Sequence, residues 1–380
     1  MKKLLLILIL FIPFNVFALD LAKNAKSTIL MESSTGEIIY ERNSDERLAP
    51  ASMTKMMSLI LIMEAIEKGN IKLDQIITIS ENASKMGGSQ IYLETNEKMS
   101  VDDLLKGICM ASANDAVVAL AETTYGSEEE FVNEMNKRAK KLGLKNTNFM
   151  NATGLDEENH YSSARDMALI AKELIKHDKV LEYSSRYEDY LREKTNKKFW
   201  LVNTNKLIKT YEGMDGLKTG FTESAGYCLT ATAKRNNMRL IGVVMKEESS
   251  NIRNSDITEL LNYGFSMYKV NNLVKKNNIV STYKDDKSSK VNNDVIVLED
   301  INILNKKSSK DRKVSYKVKL INKDLPIKKK QKLGTLEVLE NNRIIYKTNV
   351  YSKYNIKKAN IFEIYLRNII DFINGNYILK

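Results

Sequence analysis

Apolar and polar positions fall into three successive patterns along the chain. Thr28-Ile29-Leu30-Met31 and Glu37-Ile38-Ile39-Tyr40 flank a Ser34-Thr35-Gly36 turn, the signature of a β-hairpin. After Leu48-Ala49-Pro50-Ala51, apolar residues recur at helical spacing through Met53, Met56, Met57, Ile60, Leu61 and Met63-Glu64-Ala65-Ile66, until Gly69 stops them. This predicts a helix with Ser52 at its N-terminal end. Further helices are expected over residues 101–110, 114–125, 128–142 and 163–177, then a strand pair over 226–233 and 239–245 joined by Asn236-Asn237.

Beyond about Lys275 the mixed texture gives way to short alternating strands. Val314, Tyr316, Val318 and Leu320 alternate with Lys313, Ser315, Lys317 and Lys319, and Asn341-Asn342 separates Leu336–Leu339 from Ile344-Ile345-Tyr346. A small all-β domain is expected there. The end changes again: Ile361, Phe362, Ile364, Tyr365, Leu366, Ile369, Ile370, Phe372 and Ile373 form a wide apolar stripe on a helix of about 15 residues.

The first residues read as an export signal. Lys2 and Lys3 precede an apolar run from Leu4 to Ile12, followed by Pro13 and a small-residue exit at Val16-Phe17-Ala18, with cleavage expected after Ala18. The run is too short to span about 30 Å of hydrocarbon comfortably. The expected organisation is a signal peptide over 1–18, a main domain over 22–275, an all-β domain over 276–358 and an amphipathic helix over 359–376.

Composition narrows the chemistry. Hydrophobic residues make up 43%, ordinary for a globular chain, and three prolines argue against long disordered tracts. Cys109 and Cys228 lie inside apolar segments and read as buried thiols rather than a disulfide scaffold. His160 and His177 leave little material for a metal site or a Ser-His-Asp triad, so no metal and no cofactor is expected, and any nucleophile needs another base. Residues 277–380 hold 22 Lys or Arg against 11 Asp or Glu, an excess that equals the +11 of the whole chain. Nucleic-acid binding is not expected, because export and the absence of aromatic-interleaved basic motifs oppose it.

A serine with a lysine three positions later puts hydroxyl and amine on one helical face, where a lysine of lowered pKa could take the hydroxyl proton. Three such pairs occur: Ser52/Lys55, Ser266/Lys269 and Ser281/Lys284. Only the first precedes Ser112-Ala113-Asn114, on a loop between helices, and Lys218-Thr219-Gly220, which opens the strand Phe221-Thr222. Ser-x-x-Lys, Ser-x-Asn and Lys-Thr-Gly in this order resemble the motif set of penicillin-binding proteins and serine β-lactamases. The flanking segments narrow the resemblance to the D-alanyl-D-alanine carboxypeptidases of peptidase family S11. They are Leu48-Ala49-Pro50-Ala51-Ser52-Met53-Thr54-Lys55-Met56, Ala111-Ser112-Ala113-Asn114-Asp115-Ala116, Asn151-Ala152-Thr153-Gly154-Leu155-Asp156, His160-Tyr161-Ser162-Ser163-Ala164-Arg165-Asp166, and Asp215-Gly216-Leu217-Lys218-Thr219-Gly220-Phe221-Thr222 followed by Ala225-Gly226-Tyr227-Cys228-Leu229.

The resemblance implies an α/β (α+β) penicillin-binding, serine β-lactamase-like domain, with an antiparallel sheet flanked by helices. It also implies the activity, removal of the terminal D-alanine from peptidoglycan stem pentapeptides through a Ser52 acyl-enzyme, with β-lactams as covalent inhibitors. In that reading Lys55 is the general base, Ser112 relays a proton toward the leaving amine, and Asn114 holds the substrate amide and orients Lys55. Lys218 depresses the Lys55 pKa and attracts the anionic peptide end. The oxyanion hole falls at the N–H groups of Ser52 and Phe221, and Thr219 and Thr222 offer hydroxyls beside Gly220. Arg253 lies at about the family position for gripping the terminal carboxylate, with a solvated loop arginine as the alternative. Arg165, beside Asp166, reads as a structural ion pair, and His160 as a packing or hydrogen-bonding residue. Where some members carry Asn-Arg-Asn, this chain has Asn203-Thr204-Asn205, so any arginine contact from there is missing.

Family members commonly end in an amphipathic anchor, which suits the terminal stripe preceded by Lys353, Lys357 and Lys358 and implies peripheral contact with the outer face of the cytoplasmic membrane. Packing of that helix on the β domain is the alternative. Three other functions remain as rivals: an endopeptidase cutting cross-links, a class A-like β-lactamase, which needs a Glu-x-x-Leu-Asn segment that this chain lacks before Lys218, and a wall-binding module with a retired site.

Overall fold

The computed structural model describes residues 19–374, so the expected signal peptide and residues 375–380 lie outside the described residues. A five-stranded antiparallel sheet organises the larger part of the chain. Its strands run in the order Ile38–Arg42, Ser27–Glu32, Met238–Glu247, Gly226–Arg235 and Met214–Thr222, which leaves the last of these at one edge. The hairpin and the strand pair around Asn236-Asn237 form as the alternation predicts. Lys218-Thr219-Gly220 does not open a strand but sits in the second half of Met214–Thr222.

Both faces of the sheet are covered, which is why its central strands read as nearly continuous apolar runs. Ile29, Met31, Ile241, Val243 and Met245 point into the helical core, whereas Leu30, Leu240 and Val244 meet Ile257, Leu260 and Leu261 of the Ser250–Met267 helix on the other side. Within the helical core, Lys55–Glu67 is buried at every position from Lys55 to Met63. A helix apolar all round belongs in an interior. Truncating one of its buried large side chains to alanine should cost about 2–5 kcal/mol.

Ser52 is not on the α-helix itself. It lies in a 3-10 turn, Ala51–Thr54, that runs into the helix. At three residues per turn, i and i+3 eclipse each other, so this turn aligns Ser52 and Lys55 more closely than an α-helix would. The helix expected over 101–110 is α only over Val101–Lys106 and widens into a π turn over Gly107–Ala111, ending at Ser112 in the left-handed region at φ 63°. Asn114–Tyr125 and Glu128–Leu142 form as expected, and Ala164–Leu174 starts where the Ser163 hydroxyl accepts from the Asp166 N–H.

After the Ser250–Met267 helix, Tyr268–Val274 pairs with Ile301–Lys306, and a second five-stranded antiparallel sheet follows, giving the expected all-β domain. Asn341 and Asn342 make its tight hairpin turn with φ of 48° and 63°, values that asparagine tolerates better than most side chains. Arg312 ties this domain to the first: it donates to Glu37 at 2.7 and 2.8 Å and, through two nitrogens, to Glu340 at 2.9 Å. The terminal helix, Ile361–Ile373, begins with a capping box between Asn360 and Glu363 and has no buried residue. Its Arg367 donates to the carbonyls of Ser288 and Ser289 at 2.9 and 2.8 Å, so it touches the β domain by a polar side chain. Among the described residues, no helix is long and apolar enough to cross a membrane.

Candidate active site

The 3-10 turn, the Ser112 corner, the edge strand and the start of the Ser250–Met267 helix converge on a cavity of about 490 Å³. Its lining includes Ser52, Ser112, Thr219, Gly220, Phe221 and Arg253. Lys55 and Lys218 lie beneath its floor, 0% and 2% exposed.

Lys55 Nζ donates to Ser52 Oγ at 2.8 Å and to the Thr153 carbonyl at 2.7 Å. Burial holds its pKa well below the ordinary lysine value; the Lys218 charge lowers it further, and Asp115 opposes both. Lys218 Nζ donates to the Thr219 carbonyl at 3.0 Å. Burial, assisted by Arg253 and opposed by Cys109, brings its pKa down to about 7. Burial and the Lys218 charge together disfavour protonation of the lysine that touches the serine hydroxyl, the condition under which a lysine accepts a proton near neutral pH.

The Thr153 carbonyl reaches Lys55 because Gly154 adopts φ +87° against the serine turn. A Cβ at Gly154 would lie 1.9 Å from the Ala51 carbonyl oxygen and 2.9 Å from Thr54 Oγ1. The edge strand also approaches closely: a Cβ at Gly220 would stand 2.9 Å from the Pro50 oxygen and 3.3 Å from the Ser52 nitrogen. Only glycine lets the strand lie beside the Ser52 amide.

Ser112 Oγ is buried without a hydrogen-bond partner among the described residues, as is Asn114 Oδ1, and both belong to the motif around this cavity. Among the described residues Asn114 makes no hydrogen bond to Lys55: its Nδ2 donates to the Gly87 carbonyl at 2.7 Å and its N–H to the Ser89 carbonyl, pinning the loop that carries Ser89 into the cavity. The expected orientation of Lys55 is supplied instead by Ser52 and Thr153. Thr219 Oγ1 donates to Thr204 Oγ1 at 2.9 Å, so the Asn203-Thr204-Asn205 segment contributes a hydroxyl where some relatives have an arginine. Thr222 Oγ1 donates to Asp156 at 2.7 Å, fastening the end of the edge strand to the 151–160 loop. Phe221 is half exposed and packs on Tyr227 with ring centroids 4.4 Å apart, forming one wall.

Arg253 is neither solvated nor in a loop. It sits in the first turn of Ser250–Met267, 5% exposed, and its Nε and Nη2 donate to Asn254 Oδ1 at 3.2 and 2.9 Å. Arg165 does pair structurally, but with Glu41 and with Asp45 at 2.8 Å rather than with Asp166, which accepts from Asn146 and Thr147. His160 is a hydrogen-bonding residue: the Met150 N–H donates to its Nδ1 at 3.2 Å, which leaves Nε2 to donate to Thr54 Oγ1 at 2.8 Å. Burial lowers its pKa to about 4, so it stays neutral behind the serine turn. Cys109 and Cys228 are buried free thiols, and burial pushes Cys109 up to about 12.

Residues 16–249 match the family model described as D-alanyl-D-alanine carboxypeptidase, peptidase S11, which spans more than half of the chain. This chain belongs to that family. Residues 268–358 match the C-terminal domain of penicillin-binding protein 5. The D-alanyl-D-alanine carboxypeptidase DacF of Bacillus subtilis (strain 168) is 50% identical over 354 residues, covering 93% of this chain and 91% of that protein. The crystal structure of penicillin-binding protein 5 from Haemophilus influenzae aligns at 32% identity with a TM-score of 0.72, over 90% of this chain and 100% of that one. Penicillin-binding protein D2 from Listeria monocytogenes, solved in an ampicillin-bound form, aligns at 34% identity with a TM-score of 0.58, over 65% of this chain and 99% of that one.

Proposed function

We propose that this S11 peptidase is a serine-type D-Ala-D-Ala carboxypeptidase that removes the terminal D-alanine from peptidoglycan stem pentapeptides. One observation carries the reading: a fully buried lysine, of pKa far below normal, donates to a serine hydroxyl at 2.8 Å at the floor of an open cavity. In its neutral form Lys55 takes the Ser52 proton as Oγ attacks the carbonyl between the last two D-alanines. The N–H groups of Ser52 and Phe221 receive the developing oxyanion. Ser112, with its hydroxyl unpartnered, passes a proton to the departing amine, and Asn114 and Thr219 hold the peptide. Lys218 and Arg253 attract the terminal carboxylate, for which a planar guanidinium is the better fit. Water then hydrolyses the acyl-enzyme.

β-lactams acylate the same serine. The chain lacks a Glu-x-x-Leu-Asn segment before Lys218, so penicillin should leave slowly rather than be turned over as a β-lactamase would. The N-terminal pattern supports export. The apolar face of Ile361–Ile373, none of it buried, supports peripheral attachment to the outer face of the cytoplasmic membrane, with the helix lying in the headgroup region. Release of D-alanine from a diacyl-D-Ala-D-Ala peptide, compared with a Ser52→Ala variant, tests the activity. Release by the parent alone is expected, and no release by the parent rules the proposal out.

A further inference from the structure

Arg253 is a buried cation without an ion-paired carboxylate among the described residues. Two buried acids nevertheless flank it. Glu247 closes the Met238–Glu247 strand, and Asp256 follows Arg253 by about one turn of the helix. Glu247 is 2% exposed, and among the described residues no group donates to either of its carboxyl oxygens. Asp256 is 5% exposed and accepts from Asn24, whose N–H and Nδ2 both donate to it at 3.1 Å. A break in register opposite Tyr227, with Lys246 at φ 62°, turns the strand end so that Lys246 is exposed while Glu247 enters the interior. Two carboxyls in contact cannot both ionise cheaply, and the one without donors is the one that keeps the proton.

We propose that Glu247 is a positioning residue for recognition of the substrate's terminal carboxylate. Held neutral against Asp256, it leaves the Arg253 charge free for the ligand, and on losing its proton it competes with the ligand for that charge. The inference rests on the reading of Arg253 as the carboxylate clamp.

The charged groups facing Glu247 are Asp256 and Arg253 from the helix and Arg42 from the hairpin strand, and those facing Arg253 also include Cys228 and Tyr227. Burial, then the Asp256 charge and the hydrogen bond with Asp256, push the Glu247 carboxyl up to about 8, against the pull of Arg42 and Arg253. The acid is therefore neutral at neutral pH and ionises just above it. Arg42 commits its Nη2 to the carbonyls of Ala22 and Ala25 while its buried Nε has no hydrogen-bond partner among the described residues, so an ionised Glu247 divides its attraction between Arg42 and Arg253.

The test measures kcat and KM separately for a diacyl-D-Ala-D-Ala peptide between pH 6 and pH 10, with each protein's fold checked by circular dichroism. The parent should show KM rising by at least about tenfold through the Glu247 ionisation, the low end of the coupling between close charge pairs in proteins. Glu247→Gln should match the parent at pH 6.5 and lose the part of the rise that follows the Glu247 ionisation near pH 8, keeping the part that follows loss of the Lys218 charge near pH 7. Asp256→Asn removes the like charge, so the rise should move to lower pH, whereas a merely structural role for either acid would leave its midpoint in place. If Glu247→Gln does not fold, the shift in Asp256→Asn still decides. An unmoved KM profile in both variants overturns the inference. Arg253→Gln separates the two levels: unchanged KM at pH 6.5 overturns the clamp itself, whereas raised KM with parental profiles in the two acid variants overturns only the role of Glu247.

Discussion

Gly154→Ala strikes the link between the serine turn and the loop that holds its base. The added Cβ would lie 1.9 Å from the Ala51 carbonyl oxygen and 2.4 Å from its carbon, where contacts under 3.0 Å force movement. Backbone meets backbone here, so no side-chain rotation relieves the clash. The φ of +87° adds the left-handed cost of an L-residue, about 1–2 kcal/mol. Overpacking adds about 1–3 kcal/mol. At about 2–4 °C per kcal/mol for a region of this size, the melting temperature should fall by roughly 5–15 °C. The loop must retreat by about 1 Å or more, taking the Thr153 carbonyl off Lys55 Nζ, and misplacement on that scale costs about a hundredfold in rate. Thermal melts, with stopped-flow acylation by a fluorescent penicillin at a temperature where the variant is folded, measure both effects. A melting temperature within about 1 °C of the parent and acylation within about twofold would refute the reasoning.

Lys218→Met should abolish peptide hydrolysis yet stabilise the fold. The Lys218 pKa is about 7 in the folded protein against 10.5 ordinarily, so its burial opposes folding fully below pH 7 and is relieved as pH rises toward 10.5. The gain in melting temperature should therefore be larger at pH 6 than at pH 10, and the reverse order would contradict the assignment. Thr204→Val removes the acceptor of the Thr219 hydroxyl and should lower kcat/KM about fivefold, the scale of one neutral hydrogen bond, in a steady-state peptide assay. Removal of residues 360–380 should abolish co-sedimentation with anionic phospholipid vesicles while peptide hydrolysis in solution persists.

The sheet and most helices were legible because their signals are local. Alternation marked the hairpin, and helical spacing marked Asn114–Tyr125 and Glu128–Leu142 to the residue. Ser-x-x-Lys spacing alone carried little, and the structure shows why. Ser281 and Lys284 lie in an extended strand, where positions three apart face opposite sides, and Lys269 is a strand residue paired with Asp311. The π turn before Ser112 was not legible, since no residue type enforces the wider winding that carries the corner to the cavity. Nor was the backbone carbonyl of Thr153, a group every residue possesses and only the fold directs at Lys55. Ser89 was missed because it enters the site from a separate segment with no motif around it, and Thr204 was noted only as the place of a missing arginine, not as a partner of Thr219. Arg253 was singled out by position, but its burial follows from the packing of its helix on the sheet, which spacing alone does not reveal.

The central claim is that Ser52 attacks with Lys55 as its base. It is tested most directly by trapping the acyl-enzyme with benzylpenicillin and locating the adduct by tandem mass spectrometry of the digested protein. The account predicts a single adduct on the Ser52 peptide, lost only slowly, absent from Ser52→Ala and formed at least about a hundredfold more slowly by Lys55→Met. An adduct on another residue, or acylation of Lys55→Met at the parental rate, would contradict it.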